Sequence, residues 1–357
     1  MSNRADGTRV PIDAQSIDAP LTKAAVFLTL TVKPDLDDAD AVRDILDGLD
    51  DLIKTIGFRD LAARLTCVVG LGPGLWKRLS PGSAPAELHP FVPIDGTPHR
   101  APSTAGDLLF HIRADRPDFC FELERLILAT LGEHVRIEDE VQGFRYFDTR
   151  DLLGFVDGTA NPVAQELDAA ALVGADDPTW AGGSFIVVQK YLHDLTRWND
   201  LTTDEQEAII GRSKADNIER DSDAEERPSH KTLATITDDD GNEYDILRDN
   251  MPFGRPGAGE YGTYFIGYAG HLWVIEKMLQ RMFLGETPGQ YDRILDFSTA
   301  VTGATFFAPS RQQMALLAAG PAAAAMENTA ASTDGSSSAP SSAPTLGIGS
   351  LKAPTGE

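Results

Sequence analysis

The sequence predicts an α+β fold made of two similar units, and two observations lead to this prediction. Segments rich in β-forming residues alternate with segments whose apolar residues recur at helical spacing. The same order of strands and helices occurs in both halves, with Val26 and Leu109 matching Ile186 and Phe265 at nearly one spacing. We therefore expect each half to fold as a sheet covered by helices.

The elements of the two units follow the same plan. Residues 24–32, 64–70 and 108–112 are rich in residues that favour strands. Helices are predicted at 37–56, from the apolar spacing, and at 117–131, which begins with a proline suited to a first helical turn. In the second unit we predict strands and helices in alternation at 184–188, 203–210, 262–268 and 272–283.

The charge balance and the cysteines exclude several classes of function. The chain has 55 acidic and 31 basic residues and a formal net charge of −24, which disfavours binding to nucleic acids or anionic membranes. Cys67 and Cys120 lack the spacing of zinc ribbons, iron–sulfur clusters or a covalently attached cofactor. Because no apolar run resembles a membrane helix or a signal peptide, we expect a cytoplasmic protein without membrane or nucleic-acid partners.

Domain boundaries are expected where the composition changes. We predict a polar arm at 1–20, α+β domains at 21–165 and 166–320, a disordered linker at 321–345 and a tail at 346–357. The linker is rich in Ala, Ser and Pro and too poor in bulky apolar residues to fold. Leu346, Ile348 and Leu351 then restore apolar side chains, a pattern that is typical of a docking peptide.

Two segments each present one residue with chemical potential. In GFVDGTANP, at 154–162, Asp157 follows apolar residues and precedes a turn. An Asp-Gly turn is the simpler explanation, but the apolar flank would place this carboxylate at the edge of a buried surface.

His230, in RPSHK at 227–231, lies where an acidic run ends and the alternating apolar segment 232–236 begins. An isolated histidine is more often a packed or exposed residue than a ligand.

A third segment, ILRDNMPFG at 246–254, places Arg248 and Asn250 on either side of Asp249. On an extended strand the first and last of these side chains would point to one face. A surface ion pair is the simpler role for Arg248. A carboxylate or imidazole together with a fixed cation and an amide is, however, the set of groups that peroxide cleavage needs, because a proton must be accepted and the departing hydroxide stabilised.

These three segments and YDRILDF at 291–297, in this order, resemble the dye-decolorizing peroxidases, specifically the bacterial B-type branch. The resemblance covers residues 26–309. It implies two ferredoxin-like domains of the dimeric α+β barrel type, each with an antiparallel sheet. It further implies non-covalent haem b, held mainly by the C-terminal domain, and a homo-oligomer that is a dimer or a hexamer.

The resemblance also implies which residues would bind the haem. His230 would be the axial ligand of the iron, and Asp292 would accept the ring proton of that histidine, with Asp296 as the alternative. Thr159 and Phe265 are expected to contact the haem, although a core role fits Phe265 equally well.

The catalytic roles follow the same resemblance. Asp157 would accept and return a proton, Arg248 would stabilise negative charge and Asn250 would orient the peroxide. How the work divides between Asp157 and Arg248 is left open by the sequence.

The tail resembles the targeting peptides of peroxidases that are carried inside encapsulin shells. Its apolar residues Leu346, Ile348 and Leu351 would fill pockets on the shell wall, and the glycines between them would let the backbone lie close. This resemblance implies an encapsulin shell protein as partner and a location inside an encapsulin nanocompartment in the cytoplasm.

The implied activity is a haem-dependent peroxidase that reduces hydrogen peroxide and oxidises bulky dyes or phenols in one-electron steps. Large reductants are expected to react at surface residues such as Tyr191, Trp198 or Tyr261. A non-enzymatic haem carrier or iron-handling protein stays open as an alternative and would need His230 but neither Asp157 nor Arg248. A cargo adaptor with an empty pocket is a second alternative.

Overall fold

Two α+β units follow each other along the chain. The computed structural model describes residues 14–80, 83–163, 165–220, 227–238, 241–287 and 289–320. The predicted tail residues Leu346, Ile348 and Leu351 therefore lie outside the described residues. The elements of the first unit are β1 (Ala24–Val32), α1 (Leu36–Gly57), β2 (Thr66–Leu71), α2 (Pro73–Leu79), β3 (Ile94–Asp95), β4 (Arg100–Ala101), β5 (Leu108–Ala114), α3 (Pro117–Leu131) and β6 (Val135–Phe144).

The second unit contains the same kinds of element with more short insertions. Its elements are α4 (Gln165–Ala171), β7 (Ser184–His193), α5 (Leu195–Asn199), α6 (Thr203–Ile210), α7 (His230–Ala234), β8 (Ile236–Thr237), β9 (Glu243–Tyr244), β10 (Leu247–Arg248), β11 (Met251–Arg255), β12 (Glu260–Ala269), α8 (Leu272–Leu284), β13 (Ser298–Ala300), β14 (Ala304–Ala308) and α9 (Arg311–Ala319). None of the helices in these described parts combines the length and apolar composition that a bilayer crossing requires.

The main strands form antiparallel sheets whose order is the same in both units. Across the described residues, the order along the sheet is β10, β12, β7, β14, β2, β5, β1 and β6, with β11 paired to β12 and β13 paired to β7. Each unit thus orders its four principal strands as fourth, first, third and second, which is the ferredoxin-like arrangement. The predicted pair of ferredoxin-like units with antiparallel sheets is confirmed.

Among the described strands the sheets do not close into the predicted barrel, and this part of the expectation is corrected. The two sheets join at one edge, where Phe307 of β14 pairs with Leu71 of β2. At the other edge β6 and β11 approach without pairing in the described structure. A Cβ atom on Gly143 of β6 would lie 2.5 Å from the Cβ atom of Met251 in β11. Side-chain packing therefore takes the place of a backbone ladder.

Strand β1 shows how the two units pack together. Its residues Val26, Leu28 and Leu30 belong to the core that also contains the apolar face of α1. Phe27, between them, belongs to a second core and stacks on Tyr264 of β12, with ring centroids 4.2 Å apart. Because side chains alternate between the faces of a strand, one face meets helices and the other meets the opposite unit. Burial on both faces explains the nearly continuous apolar sequence of this strand.

Helix α1 begins and packs as the sequence predicts. Asp35 precedes it, and the backbone N–H of Asp35 donates to Asp38 Oδ2 at 2.9 Å as part of a capping box. Its apolar side chains Val42, Ile45, Leu46 and Leu49 are buried. The apolar residues that recur at helical spacing in the sequence therefore form the face of α1 that covers the first sheet.

The close approach at Gly143 generates the first prediction. Gly143→Ala would force apart β6 and β11, and overpacking of this kind costs roughly 1–3 kcal/mol of unfolding free energy. The matched control is Gly48→Ala, in α1, where no heavy atom lies within 4 Å of the added Cβ. That control should gain about 0.5–1 kcal/mol because alanine favours a helix interior. Urea denaturation measures both, and equal effects in the two variants would contradict the packing described here.

Candidate active site

A cavity of about 160 Å³ lies in the second unit between α8 and the sheet, and we call it the central cavity. Most of its wall is apolar. The apolar residues that line it are Leu153, Phe155, Val156, Ile210, Phe265, Met278, Leu279, Met282 and Ile294. Such a wall, with a few polar groups set into it, is typical of a site for a largely apolar ligand.

His230 enters this cavity from the first residue of α7. The hydroxyl of Ser229 accepts a hydrogen bond from the Thr232 amide and caps the helix. This cap explains why a short helix begins here, although the sequence pattern at 232–236 is that of an alternating apolar segment. The side chain of His230 is 29% exposed, and that exposure faces the cavity.

The imidazole of His230 is oriented by a buried carboxylate. His230 Nδ1 lies 2.6 Å from Oδ2 of Asp292, and the Asp292 side chain is fully buried. The second oxygen, Oδ1, accepts the amide of Ile294 at 3.1 Å. Because Nδ1 is engaged, Nε2 is the ring nitrogen left for a ligand in the cavity.

Electrostatics at this pair favour a positively charged or polarised ring. Burial disfavours the charged imidazole, but the negative charge of Asp292 and its hydrogen bond outweigh burial and raise the pKa of His230. Asp296, the alternative partner, is engaged elsewhere: its Oδ1 lies 2.8 Å from His99 Nε2 and accepts the Tyr291 hydroxyl at 3.0 Å. The structure therefore pairs His230 with Asp292.

Asp157, Arg248 and Asn250 line the same cavity. Asp157 Oδ1 accepts the amide of Gly158 at 2.7 Å, which holds the carboxylate in its turn. The pKa of Arg248 is lowered, because burial disfavours its charge more than the nearby Asp157 favours it. A carboxylate, a guanidinium and an amide thus share one enclosed space.

The backbone that carries Arg248 is held by the motif that carries Asp157. The side-chain amide of Asn161 donates to the carbonyl of Arg248 at 2.6 Å and accepts the amide of Arg248 at 3.0 Å. Asn250 Oδ1 accepts the backbone amide of Ile266 in β12 at 3.2 Å. These bonds tie two sequence-distant motifs into one rigid group.

Asp249 points away from the cavity, as the alternation along an extended segment requires. Its Oδ2 lies 2.8 Å from Nη1 of Arg113 in β5, and both side chains are almost completely buried. The pair crosses from the second unit to the first. Arg248 and Asn250 consequently face the cavity together.

Asp157, Arg248 and Asn250 also line a smaller recess of about 40 Å³ beside the central cavity. Arg145 and Tyr146 contribute to the wall of that recess. Since the three residues border both spaces, they form the partition between them.

The remaining predicted residues are placed as follows. Phe265 lines the central cavity. Thr159 does not: it is exposed, and its hydroxyl accepts a hydrogen bond from Asn217 at 2.8 Å. Two of the three expected surface aromatics need correction, because Tyr191 is only 8% exposed and Trp198 is fully buried with its indole N–H donating to the carbonyl of Leu153. Tyr261 is half-buried. The large apolar ring of Tyr or Trp favours burial in a core even when the neighbouring residues in the sequence are polar.

The sequence did not single out four polar residues of the cavity: Asp151, His193, Thr263 and Ser298. Burial raises the pKa of the Asp151 carboxyl to about 7, although backbone amides such as that of Phe155 oppose the shift. Burial lowers the pKa of His193 to about 4, and its two ring nitrogens lie 2.9 Å from the hydroxyls of Ser298 and Thr263. The apolar run that singled out Asp157 begins directly after Asp151 and was the available signal for that residue, whereas no signal marked His193.

The donor set fits a haem better than a bare metal ion. Among the described residues, no group of three or more His, Cys, Asp or Glu side chains could hold a metal ion. A haem brings four ligands with its iron and requires one imidazole and an apolar slot. His230 Nε2 and the apolar wall of the central cavity supply these two requirements.

The His230 pair generates a prediction that needs no cofactor. Asp292→Asn should lower the pKa of His230 in the apoprotein, since the charge that raises it is removed. Asp296→Asn, a change of the same type in the same motif, should leave that pKa unchanged. NMR titration of the histidine ring protons measures both, and an unmoved His230 signal in Asp292→Asn would contradict the assignment.

A stability measurement checks the sign of this shift. Because the pKa of folded His230 lies above the usual 6.5, its protonation stabilises the apoprotein fully below about pH 6.5. That contribution should disappear as pH rises through the raised pKa, which a series of thermal melts would detect.

Comparison with known proteins agrees with this geometry. Two family models match the chain: "Dyp-type peroxidase, N-terminal" over residues 14–145 and "Dyp-type peroxidase, C-terminal" over residues 148–313. A dye-decolorizing peroxidase of Rhodococcus erythropolis is 48% identical over 96% of this chain and 98% of its own length.

Solved structures show the same likeness in three dimensions. DyPB from Rhodococcus jostii has a TM-score of 0.83 and 56% identity, covering 86% of this chain and 99% of its own. Variants of that protein have been solved in complex with haem. The encapsulated DyP-type peroxidase from Mycobacterium smegmatis has a TM-score of 0.82 and 50% identity, covering 85% of this chain and 98% of its own. The chain belongs to the dye-decolorizing peroxidase family.

Proposed function

We propose that the chain binds haem b in the central cavity and uses it to reduce hydrogen peroxide, oxidising bulky aromatic reductants in one-electron steps. One observation carries this proposal. His230 Nδ1 lies 2.6 Å from the buried carboxylate of Asp292, which leaves Nε2 for a ligand in the cavity that Asp157, Arg248 and Asn250 also line. The haem complexes of the Rhodococcus jostii relative support the choice of cofactor.

His230 would hold the haem through Nε2. The hydrogen bond from Nδ1 to Asp292 fixes the orientation of the ring and makes it a stronger donor to the iron. The apolar side chains of α8, among them Met278 and Met282, would pack against the porphyrin and exclude water. When bound, the haem supplies the iron at which the oxygen–oxygen bond is broken and the oxidising equivalents are kept.

The polar residues of the cavity would handle the protons and charge of the peroxide. Asp157 has one carboxylate oxygen engaged by Gly158, so Oδ2 is available to take a proton from one peroxide oxygen and return it to the other. Arg248 would stabilise the negative charge of the departing oxygen, and buried charge acts strongly because little water screens it. Asn250, fixed by Ile266, would orient the peroxide through its side-chain amide.

The visible spectrum of the haem-loaded protein tests this function. His230→Ala should lose or shift the Soret band, since the axial ligand is removed. Asp157→Ala should keep the band but slow its response to hydrogen peroxide by about 10²-fold or more, the usual size of a general acid–base contribution. Stopped-flow spectroscopy at one equivalent of peroxide measures the rate.

Asp47→Ala, which alters an exposed carboxylate on α1, is the matched control and should react at the wild-type rate. A wild-type band that does not respond to peroxide would indicate a haem carrier and refute the peroxidase proposal. An Asp157→Ala rate equal to the control would remove Asp157 from the mechanism.

The proposal extends to packaging as encapsulin cargo inside a cytoplasmic nanocompartment, as a homo-oligomer. Leu346, Ile348 and Leu351 follow a linker of small and polar residues, an arrangement suited to a tethered docking peptide. The structural relative from Mycobacterium smegmatis, an encapsulated peroxidase of the same family, supports this part.

A tail substitution tests the packaging. Leu351→Asp should abolish co-purification with a co-expressed encapsulin shell, because a charge would enter an apolar pocket, and should leave peroxidase activity intact. Ser342→Asp adds the same charge within the linker and should leave packaging unchanged. Undiminished packaging of Leu351→Asp would refute docking through this residue.

A further inference from the structure

A second, larger cavity of about 530 Å³ opens at the junction of the two units, and we call it the lateral cavity. The first unit contributes Pro98, His99 and Arg100, and the second unit contributes Phe283 of α8 and the β13 segment. The peroxide chemistry described above uses none of these residues.

One residue separates the lateral cavity from the central cavity. Ser298, the first residue of β13, lines both cavities. Its hydroxyl lies 2.9 Å from Nδ1 of His193, which also lines the central cavity. A molecule in the lateral cavity would therefore lie one side chain away from the proposed haem site.

A second set of contacts connects the lateral cavity to the proposed iron ligand. The ring of His99 meets the ring of Tyr291 edge to face, with centroids 4.9 Å apart. Tyr291 directly precedes Asp292, whose carboxylate is bonded to His230. A path of contacts thus runs from His99 in the lateral cavity through Tyr291 and Asp292 to the imidazole of His230.

The size of the reductant requires a separate place for it. A haem bound to His230 would occupy the central cavity, and a dye of similar size could not enter beside it. The lateral cavity offers accessible apolar side chains, Pro98, Pro102 and Val301, against which an aromatic ring can lie. It also offers two nitrogen-containing side chains, His99 and Arg100, as polar contacts.

We propose that the lateral cavity is the binding site of bulky aromatic reductants, from which one electron at a time passes to the haem. This inference rests on the proposed peroxidase function. His99 takes the proton of a phenolic reductant at Nδ1, because Nε2 is held by Asp296 at 2.8 Å. Two reductant molecules each lose one electron and one proton, and one hydrogen peroxide gains both electrons and both protons to become two water molecules.

The experiment fills the lateral cavity without touching the central one. Thr299 is exposed and lines only the lateral cavity of the two, so Thr299→Trp places an indole there. Equilibrium dialysis of the haem-loaded protein against a neutral aminoanthraquinone dye, without peroxide, measures binding independently of activity. We expect the dissociation constant to rise at least tenfold, and KM for the dye to rise in proportion with kcat retained.

Thr130→Trp, at an exposed position on α3, is the matched control and should bind the dye like the wild type. Should Thr299→Trp fold poorly, Val301→Trp introduces the same side chain at another lining residue. Wild-type dye binding in both filled variants would overturn the inference.

The peroxide reaction separates this inference from the function on which it rests. The rate at which peroxide alters the haem spectrum, measured without reductant, should be unchanged in Thr299→Trp. If the wild type itself did not respond to peroxide, the proposed function would fail, whereas weak dye binding by Thr299→Trp would still locate the site.

Discussion

The site depends on a buried ion pair that connects the two units behind it. Arg113 of β5 and Asp249, next to β10, lie 2.8 Å apart with almost no solvent exposure. Breaking a pair of this kind by removing one partner typically costs about 3–5 kcal/mol, because the remaining charge is left without compensation. Because successive side chains of an extended segment point to opposite faces, the buried position of Asp249 directs Arg248 and Asn250 to the other face. The fold thus positions two site residues through a third that never enters the cavity.

Two groups in the cavity, the His230–Asp292 pair and Arg248, are affected differently by their surroundings. Asp292 sits behind His230 and favours positive charge on its ring, whereas burial disfavours the charge of Arg248. Both effects arise because the surroundings are apolar and water is scarce. In such surroundings each fixed charge interacts more strongly with other charges, which suits a reaction that moves protons and electrons over short distances.

Local patterns in the sequence predict the local parts of this arrangement. Helix α1 follows from its apolar spacing, and the shared face of Arg248 and Asn250 follows from alternation. The rest depends on residues far apart in sequence. Asn161 clamps the backbone of Arg248, and Asp292 finds His230, through tertiary contacts that no spacing rule reveals. Trp198 shows the same limit of prediction from sequence: its neighbours along the chain are polar, yet its side chain is fully buried.

The junction between β2 and β14 has a consequence for how the chain comes to be folded. The first unit has all four of its principal strands once Phe144 has been synthesised, while the partner of β2 at the junction, Phe307, arrives only near the end of the described chain. Contacts that distant in sequence form late, because closing a long loop is entropically costly. Until then β2 presents an unpaired edge, which is a known route to aggregation. Gln15 bonds both Val69 of β2 and the carbonyl of Pro309, so one side chain secures this seam after the last strand has docked.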